Sequence, residues 1–299
     1  MTALARTRLQ LSVDDFRSYQ EQGYLVVRDV VSSHEVQELL GHIEDLAAGR
    51  VAIPDAAMYG DDSVTPEHRL DRLLRVHMLH RELEIHERFL LHPRVLDVVQ
   101  ALAGPDVLAL QSMLFLKRPG SPGQGFHQDS FHIQTVPDTL VGAWVALDPA
   151  GEENGCLWIT AGSNHEPVYP DGSERARPGG HRHLAGIPWI TGADDPDTDR
   201  NELARVAARY AGRETPVVLQ PGDVAFFSGR TLHRSHTNRS RTRLRRSFVA
   251  HYCNARSFVP WDHEDVPTGE GANDRHILAR GATHLPFAPP RFGTPVELD

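Results

Sequence analysis

The sequence predicts a mainly β protein of jelly-roll type with helices added on its N-terminal side. Three observations carry that prediction. Apolar residues recur at helical spacing as far as about residue 105. From Val107 the period changes to that of strands. Short strand-like runs are then separated by Gly/Pro clusters such as residues 118–123 and 220–223.

Taken in order, residues 1–11 form a loose leader. Ser12 is an N-cap, Asp14 and Asp15 fill the first turn and Gly23 stops the helix, so the spacing predicts a helix over 13–22. A short strand follows at 24–28. Ser32 or Ser33 caps a second helix whose core stripe is Val36, Leu39, Leu40, Ile43 and Leu46. Residues 50–70 read as a long loop, the kind that often serves as a lid or binding loop. Residues 69–91 read as helix, with His77, His80 and His86 as its surface or half-buried residues. His92-Pro93 opens another helix, ended by Gly104-Pro105. Strands are then expected at 107–117, 141–147, 156–160, 216–219, 224–227 and 245–252. Between them, residues 166–213 read as a surface insertion with a helix at 201–210. The tail from 254 to 299, rich in Pro and charge, is expected to wrap the outside.

Composition narrows the function. The chain has 299 residues, 40% hydrophobic and 24% charged, which is ordinary for an enzyme with a sizeable core. Its net charge of -9 offers no basic excess for nucleic acid or an anionic membrane, and no stretch reaches membrane-spanning length. The two cysteines, Cys156 and Cys253, form no disulfide framework or metal-ligand pair. With no signal peptide evident, the expected location is the reducing cytoplasm.

One constellation points to chemistry. His127 and Asp129, two residues apart, share a face of an extended strand and can grip one metal ion. A third ligand is needed, and His233 follows the strand-like run at 223–227. Two histidines and a carboxylate form the facial triad of non-haem Fe(II) oxygenases, which leaves three metal positions open. By composition alone His236 and His251 compete with His233, and His132 and His165 could also approach. His165 reads better as a turn residue bonding the backbone. Among the following arginines, Arg239, Arg241 and Arg243 suit a solvated loop. Arg245 and Arg246 instead open an apolar strand, so one of the two faces inward, where its planar fork would suit a carboxylate.

These residues together resemble a known family. His127-Gln128-Asp129, Asn154-Gly155-Cys156-Leu157, Gly162-Ser163-Asn164-His165, Pro221-Gly222-Asp223 and His233-x-Ser235-x-x-Asn238-x-Ser240 look like the phytanoyl-CoA dioxygenase family. The opening Phe16-x-x-Tyr19-x-x-x-Gly23-Tyr24-Leu25-Val26-Val27 is similar as well, so the likeness runs from about residue 12 to about 255. It implies a double-stranded β-helix (jelly-roll or cupin-like) core in one domain, residues 1–299. Its parts are a helical region at about 12–105, a core at about 106–255 and a C-terminal wrap at 256–299. It also implies Fe(II), 2-oxoglutarate and O2. His127, Asp129 and His233 match the metal ligands, Ser235 and Arg245 match the residues that hold 2-oxoglutarate, and Gln111 and Trp144 match pocket-lining positions. Relatives that halogenate carry a small residue where Asp129 stands, which argues against halogenation here.

The implied activity oxidises an unactivated C–H bond while 2-oxoglutarate is converted to succinate and CO2. The polar composition of the expected pocket walls suggests a small polar substrate, such as a glycoside or amino acid derivative. Hydroxylation in antibiotic (secondary-metabolite) biosynthesis is the first expectation, with ring closure, desaturation or epimerisation as the alternative. A cupin-like metal protein without oxygenase activity is a second alternative, and such a protein would not need the Arg245/Ser235 anchor.

Overall fold

Local signals at the N-terminus set the first elements. In the computed structural model, which describes residues 8–52, 58–59, 75–169, 202–260 and 273–283, helix α1 runs Val13–Gln22. Ser12 Oγ accepts from the Asp15 amide, and the Asp15 carboxylate accepts from the Ser12 amide. This reciprocal box satisfies two donors that the first turn would otherwise leave bare. Gly23 ends the helix at φ 81°, a left-handed conformation that glycine adopts without strain. Strand β1 (Tyr24–Val27) and helix α2 (Ser33–Ala47) follow, and Ser32 with Glu35 repeats the capping box. The predicted stripe of α2 from Val36 to Leu46 is buried.

The next segment departs from expectation. Residues 69–74 lie outside the described residues, but Arg75–His77 is strand β3, not helix, and pairs with Met58–Tyr59 (β2) on one side. Its other side pairs with residues 113–115. The edge of a long neighbouring strand captures it, so tertiary pairing overrides the helical propensity of a Leu- and Arg-rich run. After a 3-10 turn at Leu79–Arg81, α-helix resumes at Glu84–Leu90 (α3), and Pro93 starts α4 (Pro93–Ala103) as its fixed φ favours.

The β region forms two antiparallel sheets. Strands β4 (Val107–Lys117), β6 (Val141–Ala146), β9 (Val224–Ser228) and β11 (Arg245–Asn254) make the middle of an eight-stranded sheet, seven of whose strands run in the order β1-β9-β6-β11-β4-β3-β2 while the eighth, near the C-terminus, pairs with β4 off that path. Strands β5 (Gln124–His127), β7 (Leu157–Thr160), β8 (Glu214–Val217) and β10 (His233–Ser235) make a four-stranded sheet, in the order β5-β10-β7-β8. One apolar cluster, including Leu39, Leu96, Val145, Phe226 and Phe248, fills the space between the large sheet and the helices. A second, including Trp144, Leu157, Phe227 and Val249, lies between the sheets. This is the mainly β, jelly-roll architecture with flanking helices that the sequence predicts.

Two further expectations change. The tail does not simply wrap the outside: Ile277–Arg280 is strand β12, paired with β4, and Ile277 and Ala279 enter the main core. Its alternation is too brief to stand out in a Pro-rich tail. Within the expected insertion, residues 170–201 lie outside the described residues, and the predicted helix shortens to α6 (Leu203–Ala208). Among the described residues no helix is long and apolar enough to cross a membrane.

Candidate metal centre

His127 ends β5 and His233 begins β10, and the two face each other in antiparallel register. That pairing brings together ring nitrogens that lie more than a hundred residues apart. The imidazole centroids are 4.0 Å apart. Each Nδ1 is bonded to a carbonyl two residues upstream on its own chain, Gly125 O for His127 and Thr231 O for His233, both at 2.9 Å. These bonds place the proton on Nδ1 and turn Nε2 toward the other ligands, the usual support for a metal-binding imidazole.

Asp129 is placed differently from the expectation. The strand stops at His127, and Asp129 opens a single helical turn, α5 (Asp129–His132). The turn still carries the carboxylate to the histidines. Oδ1 is 3.6 Å from His127 Nε2 and 3.5 Å from His233 Nε2. His127, Asp129 and His233 form a buried group whose ligand atoms all lie within 4.8 Å of one another.

The ionisation states suit a cation. Burial, with His233 adding to it, pushes His127 down to about 3, so the ring is neutral at neutral pH and Nε2 carries no proton. Burial opposes the charged form of Asp129, but His233 and His251 outweigh it and hold the carboxyl below its ordinary range. Two imidazoles and one carboxylate are a hard-to-borderline donor set, which fits Fe(II).

The centre opens into a cavity of about 600 Å³ between the two sheets. Gln111, Trp144, Ser235 and Arg245 all line it. Arg246 turns the other way, where its guanidinium clasps the Asp148 carboxylate through two bonds of 2.8 Å. Arg245 is buried, 4% exposed, and its guanidinium lies 5.3 Å from the centre of the Trp144 ring. It donates to Ser247 Oγ at 3.0 Å, while its Nε has no hydrogen-bond partner among the described residues.

Sequence reasoning missed Lys117. Its Nζ donates to Ser235 Oγ at 2.9 Å and to the His236 carbonyl. Burial, then the charge of Arg245, lowers it to about 7. Among the described residues no carboxylate lies within ion-pair distance of Lys117 or Arg245. Two buried basic groups with no carboxylate beside them are suited to receive an anion, because burying such a charge is costly until an anion arrives. The signal was legible: Gln111, Met113, Phe115 and Lys117 alternate along β4, and all four line the cavity.

The remaining histidines separate. His132 lines the cavity with its ring 6.5 Å from that of His127, and His77 bonds Gln111 at 3.0 Å. His251 donates to the second oxygen of Asp129 at 3.0 Å. His236 packs edge-on against Trp158, and His165 sits in a short 3-10 turn away from the cavity lining.

Comparison with known proteins gives a consistent picture. The family model for phytanoyl-CoA dioxygenase (PhyH) matches residues 19–247. The peroxisomal phytanoyl-CoA dioxygenase of Rattus norvegicus is 26% identical over 252 residues, covering 81% of this chain and 68% of that protein. Among solved structures, the non-haem alpha-ketoglutarate-dependent carbocyclase SnoK from nogalamycin biosynthesis superposes with a TM-score of 0.63. It is 21% identical, and the match covers 95% of this chain and 94% of that one. The epimerase SnoN, solved with Fe3+, alpha ketoglutarate and nogalamycin RO, has a TM-score of 0.60 at 22% identity, covering 94% and 95%.

Proposed function

The chain belongs to the phytanoyl-CoA dioxygenase family and is an Fe(II)/2-oxoglutarate-dependent oxygenase, and on that premise we propose that it hydroxylates an unactivated C–H bond of a small polar molecule. One observation carries the reading: the buried pair Arg245 and Lys117 opens onto the same cavity as the His127–Asp129–His233 group.

His127, Asp129 and His233 are the residues that would hold Fe(II). The chemistry supplied by a bound iron is the coupling of 2-oxoglutarate decarboxylation to oxidation of a C–H bond. Arg245, Lys117 and Ser235 receive the distal carboxylate of 2-oxoglutarate. Arginine gives it a planar fork, lysine a second charge, and Ser235 a hydroxyl that Lys117 already orients. The Trp144 ring lies against Arg245 and helps keep the guanidinium aimed. Burial excludes water from this end, which strengthens each charged contact.

The substrate would occupy the rest of the cavity, among His77, Gln111, Gln124 and His132. These groups offer donors and acceptors for hydroxyl, amide or amine functions, which supports a polar substrate such as a glycoside or amino acid derivative. That chemistry suits a tailoring step in antibiotic biosynthesis in the cytoplasm. Asp129 fills the position a halide would need, so hydroxylation is favoured over halogenation.

The test is succinate release from 2-oxoglutarate with Fe(II), ascorbate and a panel of such substrates, comparing the wild type with Asp129→Ala. The wild type releases succinate and adds one oxygen to its substrate; the variant does neither. A product lighter by two hydrogens identifies ring closure or desaturation, and an unchanged mass with altered retention identifies epimerisation. Failure to bind 2-oxoglutarate would leave only a cupin-like metal protein.

A further inference from the structure

Asp129 presents its two oxygens to different partners. Oδ1 faces the ring nitrogens of His127 and His233, at 3.6 and 3.5 Å. Oδ2 is 3.0 Å from His251 Nε2. An ionised carboxylate only accepts hydrogen bonds, so His251 is the donor. The imidazole is 3% exposed and sits on β11, in the interior of the large sheet between β4 and β6. Its register partners are Gln111 and Gly142. Its Nδ1 has no hydrogen-bond partner among the described residues, so Asp129 is the polar group that its ring engages.

The consequence concerns coordination number. A carboxylate free to rotate can chelate a cation through both oxygens, and the protein would then fill four of six positions. Two positions would remain for a bidentate co-substrate and O2, which need three. We infer that His251 is a positioning residue that engages Asp129 Oδ2, so that Oδ1 alone faces the metal and three positions stay open. This rests on the reading of His127, Asp129 and His233 as the iron ligands. Partners of ligating groups typically contribute 10–100-fold in metal affinity.

Cobalt(II) separates the two levels of the claim, since its visible d–d spectrum reports coordination number without turnover. The intact wild-type chain should bind Co(II), and Asp129→Ala should not; this control tests the ligand set. His251→Leu should weaken Co(II) binding by about 10–100-fold and alter the d–d spectrum. His251→Gln, whose amide nitrogen reaches as far as Nε2, should restore both to near wild type. If the leucine variant does not fold, His251→Ala gives the same comparison. A leucine or alanine variant with wild-type affinity and spectrum would overturn the inference. So would a glutamine variant as impaired as leucine, because the imidazole would then be acting as a ligand itself. Absence of Co(II) binding by the wild type would instead overturn the ligand set.

Discussion

Lys117→Met isolates one charge at the proposed co-substrate anchor. Methionine keeps the unbranched length and removes the ammonium. Hydrogen bonds to charged groups contribute about 1.5–3 kcal/mol. At about 1.4 kcal/mol per factor of ten, the variant should bind 2-oxoglutarate about 10- to 150-fold more weakly. The stronger signature is in pH. Burial and Arg245 lower Lys117 from 10.5 to about 7, while Arg245 itself, lowered by burial, stays near 10 and remains charged. Arg75 adds to the depression, and Cys156, pushed up to about 11 by burial, is neutral. Burial lowers His236, whose carbonyl accepts from Lys117, so it carries no charge above neutrality.

A bound carboxylate favours the ammonium form. Above about pH 7 the free protein must therefore take up a proton as it binds. Wild-type affinity should be flat with respect to this group below that pH and fall above it, by at most tenfold per pH unit. Calorimetry in buffers of different ionisation enthalpy measures the proton directly, and Lys117→Met should show none. The sign for stability runs the other way. The unfolded chain binds the Lys117 proton more tightly, so this group's contribution to wild-type stability rises as pH climbs from about 7 toward 10.5. Denaturant titration should thus find the methionine variant more stable than wild type near pH 6.5, with the gap closing by pH 10. A variant that binds 2-oxoglutarate within about twofold of wild type, or that keeps the proton uptake, would refute the assignment.

Arg245→Leu removes the buried partner of a carboxylate, a loss of about 3–5 kcal/mol. It should weaken 2-oxoglutarate by a factor of at least about 100 while Co(II) affinity stays at the wild-type level, both read by calorimetry. Gly155→Ala places a Cβ 2.5 Å from the His236 carbonyl and 3.1 Å from Lys117 Nζ, at a backbone φ of +76°. It should cost at least about 1–2 kcal/mol, seen as a lower melting temperature, and weaken co-substrate binding as Lys117 shifts. Gln128→Leu should destabilise the fold by about 1–3 kcal/mol in denaturant titration. Its buried amide bonds the carbonyls of Pro167 and Arg230 and the Tyr169 amide, so proteolytic cleavage near residue 169 should accelerate.

What could be read from the sequence was what short-range chemistry decides. Ser12 announces an N-cap, the Ser32-Ser33 pair another, and Gly23 a helix stop, because those signals act within a few residues. His127 and His233 were legible as residues beside strand-like runs, while the choice of His233 over His236 and His251 came from the family resemblance. What failed depended on distant partners. Arg75–His77 became a strand because the exposed edge of β4 supplied its hydrogen bonds. Ile277–Arg280 did so because the same edge stayed open at residues 107–109. Nothing within either segment encodes that edge.

The anchor shows how one parity decision spreads through the site. Arg245 and Arg246 are indistinguishable by composition, and a shift of one residue along β11 would exchange their faces. The register fixes the outcome, because Arg245 pairs with Lys117 and His251 with Gln111. The same face of β11 therefore carries Arg245 at one end, Val249 between and His251 at the other, all lining the cavity. The facing strand carries Lys117 and Gln111 at the matching ends. A single register thus sets the anion anchor and the support of Asp129 together, so neither moves without the other. The spacing between anchor and metal is a property of two long strands rather than of a loop. A bulge falls between His251 and Tyr252, beyond the last of these residues, so it does not disturb their shared face. An insertion between Arg245 and His251 would turn one of them out of the cavity, whereas an insertion in the loop before Arg245 leaves the spacing intact.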